Sequence, residues 1–167
     1  LIQEGKLDEA IEAIQQRLQT DGIEGINLSE RYYNLLKMRK RYGEMAGHGV
    51  RHLDLLIEDN KPSKMIQVYA ECTKVDPRFL PSAPVLFKIG SWLNESGKIR
   101  QSVAALNRVI NAYPNHPLAP RAYFRAAQIF NDRLMSAEKA KRILAVLKQK
   151  YPQAEIVPQV DNYLANL

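Results

Sequence analysis

Apolar side chains recur along this chain at three- and four-residue spacing, broken by short polar turns, the pattern of a succession of amphipathic helices. The clearest stretch is 82–114. Leu86, Ile89, Gly90 and Leu93 form one apolar stripe; Val103, Leu106, Val109 and Ile110 form a second, and Ser96-Gly97 separates them. Pro114 cannot continue a helix and closes the pair. Two helices this short cannot bury their apolar faces alone, so they require similar pairs stacked on each side.

The same pattern extends in both directions. A helix over 6–20, opened by a turn at Glu4-Gly5, would turn Leu7, Ala10, Ile11, Ile14 and Leu18 inward. After a glycine-containing loop over 20–28, Asn27 or Ser29 can cap a helix reaching about 41. The segment 44–59, with His52, Leu53, Leu56 and Ile57, reads equally as the second helix of the pair begun at 29 and as the first of the pair ending at Pro77. It is therefore expected to be shared. A turn at Asn60-Lys61-Pro62 leads to a helix over 61–75, and the proline-rich 77–84 connects to the organising pair. A last pair presents Tyr123, Ala126, Ala127 and Phe130, then Ser136 as N-cap, then Ala140, Ile143, Leu144 and Leu147. Val157, Val160, Tyr163 and Leu164 predict a closing helix within 154–167.

The positions Leu86, Ile89-Gly90, Leu93, Ser102, Leu106, Val109 and Pro114 resemble the tetratricopeptide (TPR) repeat. The closing Tyr113-Pro114 and Tyr151-Pro152 lie 38 residues apart, near the family's 34 plus a longer loop. The resemblance implies an all-α, right-handed α-α superhelix of about nine helices with a C-terminal capping helix. It divides one repeat domain into a half-repeat 1–22, an overlapping 28–59 and 46–77, the pairs 82–114 and 117–152, and a cap 154–167. A half-repeat at Leu1 implies a fragment of a longer protein. Over about 100–167, the run from Tyr113-Pro114 through Ala126-Ala127-Gln128-Ile129-Phe130 is similar to repeats of bacterial envelope and outer-membrane-assembly proteins.

Charge sharpens the picture. The chain has 24 Lys and Arg against 18 Asp and Glu, a formal net charge of +6. Residues 1–30 are acidic, whereas 31–51 and 97–167 are basic, which points to an acidic partner or an anionic surface. Two basic clusters, Lys37, Arg39, Lys40 and Arg41 ending in Tyr42, and Lys139, Lys141, Arg142, Lys148 and Lys150, keep a nucleic-acid reading open as a lesser alternative. Phosphate binding requires cations on one continuous face, however, and the second cluster is expected to spread around its helix. The single cysteine, Cys72, reads as a small core residue. His48 and His52 stand at i and i+4, but Gly49 occupies the position where a zinc protease needs its glutamate. No catalytic residue, cofactor or metal ligand is expected, and a non-catalytic role follows.

In TPR domains the first helix of each pair lines a concave groove. Carried over by position, the groove would present Tyr33, Asn34, Lys37 and Arg41, then Arg51 and Asp54. It would continue with Phe87, Lys88, Ser91 and Asn94, then Arg121, Phe124, Arg125 and Gln128. Arg51, Lys88 and Arg125 hold equivalent positions in three pairs, a basic row suited to an acidic peptide. The resemblance implies a scaffold binding a protein or peptide segment. A role in oligomerisation or assembly, for a domain tethered to a membrane through an upstream segment, is the alternative. A cytoplasmic location is slightly favoured over a periplasmic one.

Overall fold

The computed structural model describes residues 2–20 and 25–167, with side chains described for 5–18 and 25–167. Among these residues there are nine helices and no strand: α1 (Ile2–Thr20), α2 (Ile26–Met38), α3 (Tyr42–Glu58), α4 (Pro62–Val75), α5 (Ala83–Glu95), α6 (Ile99–Ala112), α7 (Leu118–Asp132), α8 (Ala137–Lys150) and α9 (Val157–Ala165). The chain divides into two compact units, Leu1–Ser82 and Ala83–Leu167, and within each unit successive helices pack on one another. The all-α class expected from the sequence is the one observed among the described residues. None of the described helices is long and apolar enough to cross a membrane.

In the first unit, α2, α3 and α4 pack in order and α1 packs on α2. The turn expected at Glu4-Gly5 is absent, because α1 runs through Gly5. The loop expected over 20–28 lies partly outside the described residues. The cap expected from Asn27 or Ser29 is also not used, since α2 starts earlier, with Gly25 as its N-cap. Ser29 is instead fully buried inside the helix, and its hydroxyl shares 2.9 Å hydrogen bonds with His48 Nε2 and His52 Nδ1 of α3. The two imidazoles therefore join α3 to α2.

Short turns separate the helices. Lys40 and Asn60 adopt left-handed backbone before α3 and α4, and Pro62 opens α4, where its missing N–H costs nothing. α3 packs on both α2 and α4, and Gly49 lets it approach α4 closely: a Cβ there would lie 2.6 Å from Cys72 Sγ.

The second unit has the pairs α5–α6 and α7–α8, with α5 also touching α7 and α9 packing on α8. Gly97 takes the left-handed conformation (φ +74°) that the Ser96-Gly97 turn requires. At the centre of the first pair, a Cβ on Gly90 would meet Leu106 Cγ at 2.9 Å, while Ser102 Oγ donates to the Gly90 carbonyl at 2.6 Å. The helices touch there because both residues are small. Ala127, Ala140, Leu144, Leu147 and Val160 form the buried core joining α7, α8 and α9. Ser136 is the N-cap of α8 as expected, but its side chain makes no capping hydrogen bond.

Candidate functional site

The candidate site is a groove along α7 in the second unit. Its floor is apolar, formed by half-buried Phe87 of α5 and Phe124 of α7, with Ile156 just before α9. Arg121, Arg125, Gln128 and Gln159 line the same depression, whose volume is about 320 Å³. Alternation fixes this set on α7: Ala122, Ala126 and Ile129 bury one stripe against neighbouring helices, which leaves 121, 124, 125 and 128 on the open side.

The groove continues at both ends. Toward the α7 C-terminus, Asn94, Arg125, Gln128, Asp132 and Arg133 line a polar recess of about 120 Å³. Arg133 donates to the Asn94 carbonyl at 3.2 Å, and Asn94 Oδ1 is buried without a hydrogen-bond donor from the protein. Toward the α7 N-terminus, Pro117, Leu118, Pro120, Gln153 and Ala154 shape an apolar recess of about 440 Å³ that shares Arg121 and Ile156 with the centre. His116 holds this end, since its Nδ1 accepts from the Leu118 N–H at 3.1 Å.

The cations of the groove are lightly engaged. Among the described residues Arg125 has no ion pair, and Arg121 only approaches Glu155, at 3.8 Å with both side chains exposed. Such a pair contributes little.

Of the residues expected in a groove, Phe87, Asn94, Arg121, Phe124, Arg125 and Gln128 are brought together here. Ser91 is buried on α5, and its hydroxyl donates back to the Phe87 carbonyl at 3.1 Å. Lys88 is exposed beside the groove instead of lining it, with Nζ 5.2 Å from the centre of the Trp92 ring. The missed members are Ile156, Gln159 and Arg133. The apolar Ile156 ahead of Pro158 was the available signal for the first of these.

The expected residues of the first unit have other surroundings. Tyr33 is only 3% exposed, because α4 covers it: its hydroxyl donates to Glu71 at 2.9 Å and lies 3.6 Å from Cys72 Sγ. Burial pushes the Tyr33 phenol far above its usual value and the Cys72 thiol up to about 11. Burial alone would raise Glu71 too, but hydrogen bonds from Lys37, Gln67 and Tyr33 outweigh it and hold that carboxyl below its usual range. Lys37 is thus committed to Glu71 at 2.5 Å, and Arg41 grips Glu44 with two hydrogen bonds of 2.6 and 2.7 Å. Asn34 and Arg51 are exposed, and Asp54 accepts from Ser82 at 2.7 Å.

The groove thus lies between the first helices of two consecutive pairs. The Tetratricopeptide repeat family matches residues 85–116 and 121–154, which are those pairs. Residues 85–154 are thus similar to two successive TPR repeats. The fold of the chain is also similar to that in a crystal structure of MamA protein, with 13% sequence identity and a TM-score of 0.50. That likeness covers 90% of this chain and 86% of the other, and it concerns the fold alone. No curated protein matches the sequence. TPR-like repeats serve in general as protein–protein interaction scaffolds, and the family is generally non-catalytic. Among the described residues, no group of three or more His, Cys, Asp and Glu is arranged to hold a metal ion.

Proposed function

We propose that the α7 groove of the second unit binds an acidic protein segment carrying at least one large apolar side chain. The observation that carries this reading is Arg125, which has no ion pair among the described residues and stands in the same depression as Arg121, Phe87 and Phe124. A carboxylate on the ligand gains a charge-assisted hydrogen bond from a guanidinium without first breaking a strong internal pair. The apolar floor gives affinity through burial. The ligand lies in an extended form along α7, its acidic groups over Arg121 and Arg125.

The test is fluorescence anisotropy with labelled peptides of mixed Asp, Glu and Phe content, against the same peptides with Asn and Gln. The acidic series binds and the neutral series binds at least tenfold more weakly. Arg121→Ser with Arg125→Ser abolishes the difference. Equal binding of both series to the unaltered protein would sink the reading.

A further inference from the structure

A second surface of the same unit has a different character. The turn from α7 to α8 carries two large apolar residues in the open, Leu134 at 44% exposure and Met135 at 87%. Met135 also holds a left-handed backbone (φ +51°), which side chains with a Cβ adopt at a cost. The turn between α5 and α6 puts Gly97 in that conformation, in the residue just before the next N-cap. A strained, fully presented methionine thus stands where glycine fits without strain.

α8 continues the surface. Lys139, Arg142, Ile143, Val146 and Lys150 follow one another at i, i+3, i+4, i+7 and i+11, so they share one stripe. A shallow depression of about 570 Å³ runs along it, lined by Tyr123, Ser136, Glu138, Lys139, Arg142, Ile143 and Val146. Lys139 Nζ sits 4.1 Å above the Phe130 ring and Lys150 Nζ donates to the Tyr123 hydroxyl at 3.2 Å, so both ammonium groups are held at the apolar surface. Of the nearby carboxylates, Glu138 is paired with Lys141 at 3.6 Å, and Asp132 accepts from Asn131 and Tyr163.

We infer that this surface, the Leu134-Met135 turn with the cationic stripe of α8, docks on an anionic lipid bilayer. Projecting apolar side chains next to a row of cations supply the two weak signals that peripheral membrane binding needs. The apolar tips enter the interface and the cations meet lipid phosphates and carboxylates. A second copy of the chain fits poorly, because residues 83–167 hold 12 Lys and Arg against 5 Asp and Glu, and two such patches repel.

The experiment is cosedimentation of the full 167-residue chain with vesicles of phosphatidylcholine alone and of phosphatidylcholine mixed with phosphatidylserine. Binding is expected to the mixed vesicles only, weakening as salt is added. Lys139→Gln with Arg142→Gln lowers it about 25-fold, at about fivefold per cation. Met135→Gly lowers it several-fold while the protein melts at the same or a higher temperature, because glycine relieves the left-handed backbone; a defect in folding would move the two readouts together. Absence of binding to mixed vesicles, or binding unchanged by Met135→Gly, overturns the inference. So does retention of the chain by soluble polyglutamate without any vesicle binding, which would assign the surface to an acidic protein.

Discussion

The Ser102 hydroxyl donates a 2.6 Å hydrogen bond to the Gly90 carbonyl, across the line where α5 and α6 come closest. The bond exists because Gly90 has no side chain: Leu106 Cγ occupies the space a Cβ would need. Replacing glycine by alanine in a helix ordinarily stabilises it by about 0.5–1 kcal/mol. Here a branch carbon 2.9 Å away, not the far end of a flexible chain, has to move. Overpacking of this kind costs about 1–3 kcal/mol. Gly90→Ala is therefore expected to lower stability by about 1–2 kcal/mol in urea denaturation. A gain in stability would show that the pair has slack at this point.

Ser102→Ala removes the donor and leaves a Gly90 carbonyl that still accepts within its own helix. The expected loss is about 1 kcal/mol, the net worth of one buried hydrogen bond. Since the two residues touch, the double variant should lose less than the sum of the singles.

His52 predicts a pH dependence. It is 1% exposed, its Nδ1 is tied to Ser29, and its Nε2 has no partner, so burial first, and the neighbouring His48 second, push its pKa down to about 4 from 6.5. The folded state keeps the ring neutral while the unfolded chain takes up a proton below about 6.5. Stability therefore falls as pH drops from 6.5 toward 4 and is level above it. Over the whole window the loss from this group is up to about 3 kcal/mol. Between pH 6.5 and 5, above the usual carboxylate range, denaturation midpoints should fall for the natural protein and stay nearly level for His52→Phe. A slope unchanged by that substitution would place the titration elsewhere.

Cys72 should be chemically silent while the first unit is folded. The thiol is fully buried and held protonated up to about 11, so little thiolate exists at pH 8 and no reagent reaches it. Labelling by a maleimide should follow the opening of α2–α4 and become fast in denaturant. Rapid labelling in buffer would mean that α4 does not cover the thiol as described.

The second unit was more legible in the sequence than the first for a physical reason. In 82–152, Gly97, Ser102 and the two Tyr-Pro closings are residues with few alternatives: a left-handed turn, a close helix approach and a stop. The helix boundaries followed from them. In the first unit the turn at Asn60-Lys61-Pro62 was equally readable, but the turn before α3 is made by Lys40, which does not stand out in a polar stretch. The apolar period placed the helices there, but it does not say which neighbour covers which stripe. Tyr33 looked like a groove residue and is instead covered by Glu71 and Cys72 of α4. In the same way Phe124 and Arg125 were readable as one open face of α7, whereas Ile156 and Gln159 came to it from a segment read only as a cap.

The most direct test of the interaction reading is site-specific photocross-linking. A benzophenone amino acid replaces Gln128, inside the groove, or Lys141, exposed outside it on α8, and each protein is irradiated with the same acidic, phenylalanine-containing peptide. The account predicts an adduct at position 128 that excess unlabelled peptide suppresses, and none at position 141. Equal adducts at the two positions, or an adduct only at 141, would contradict it.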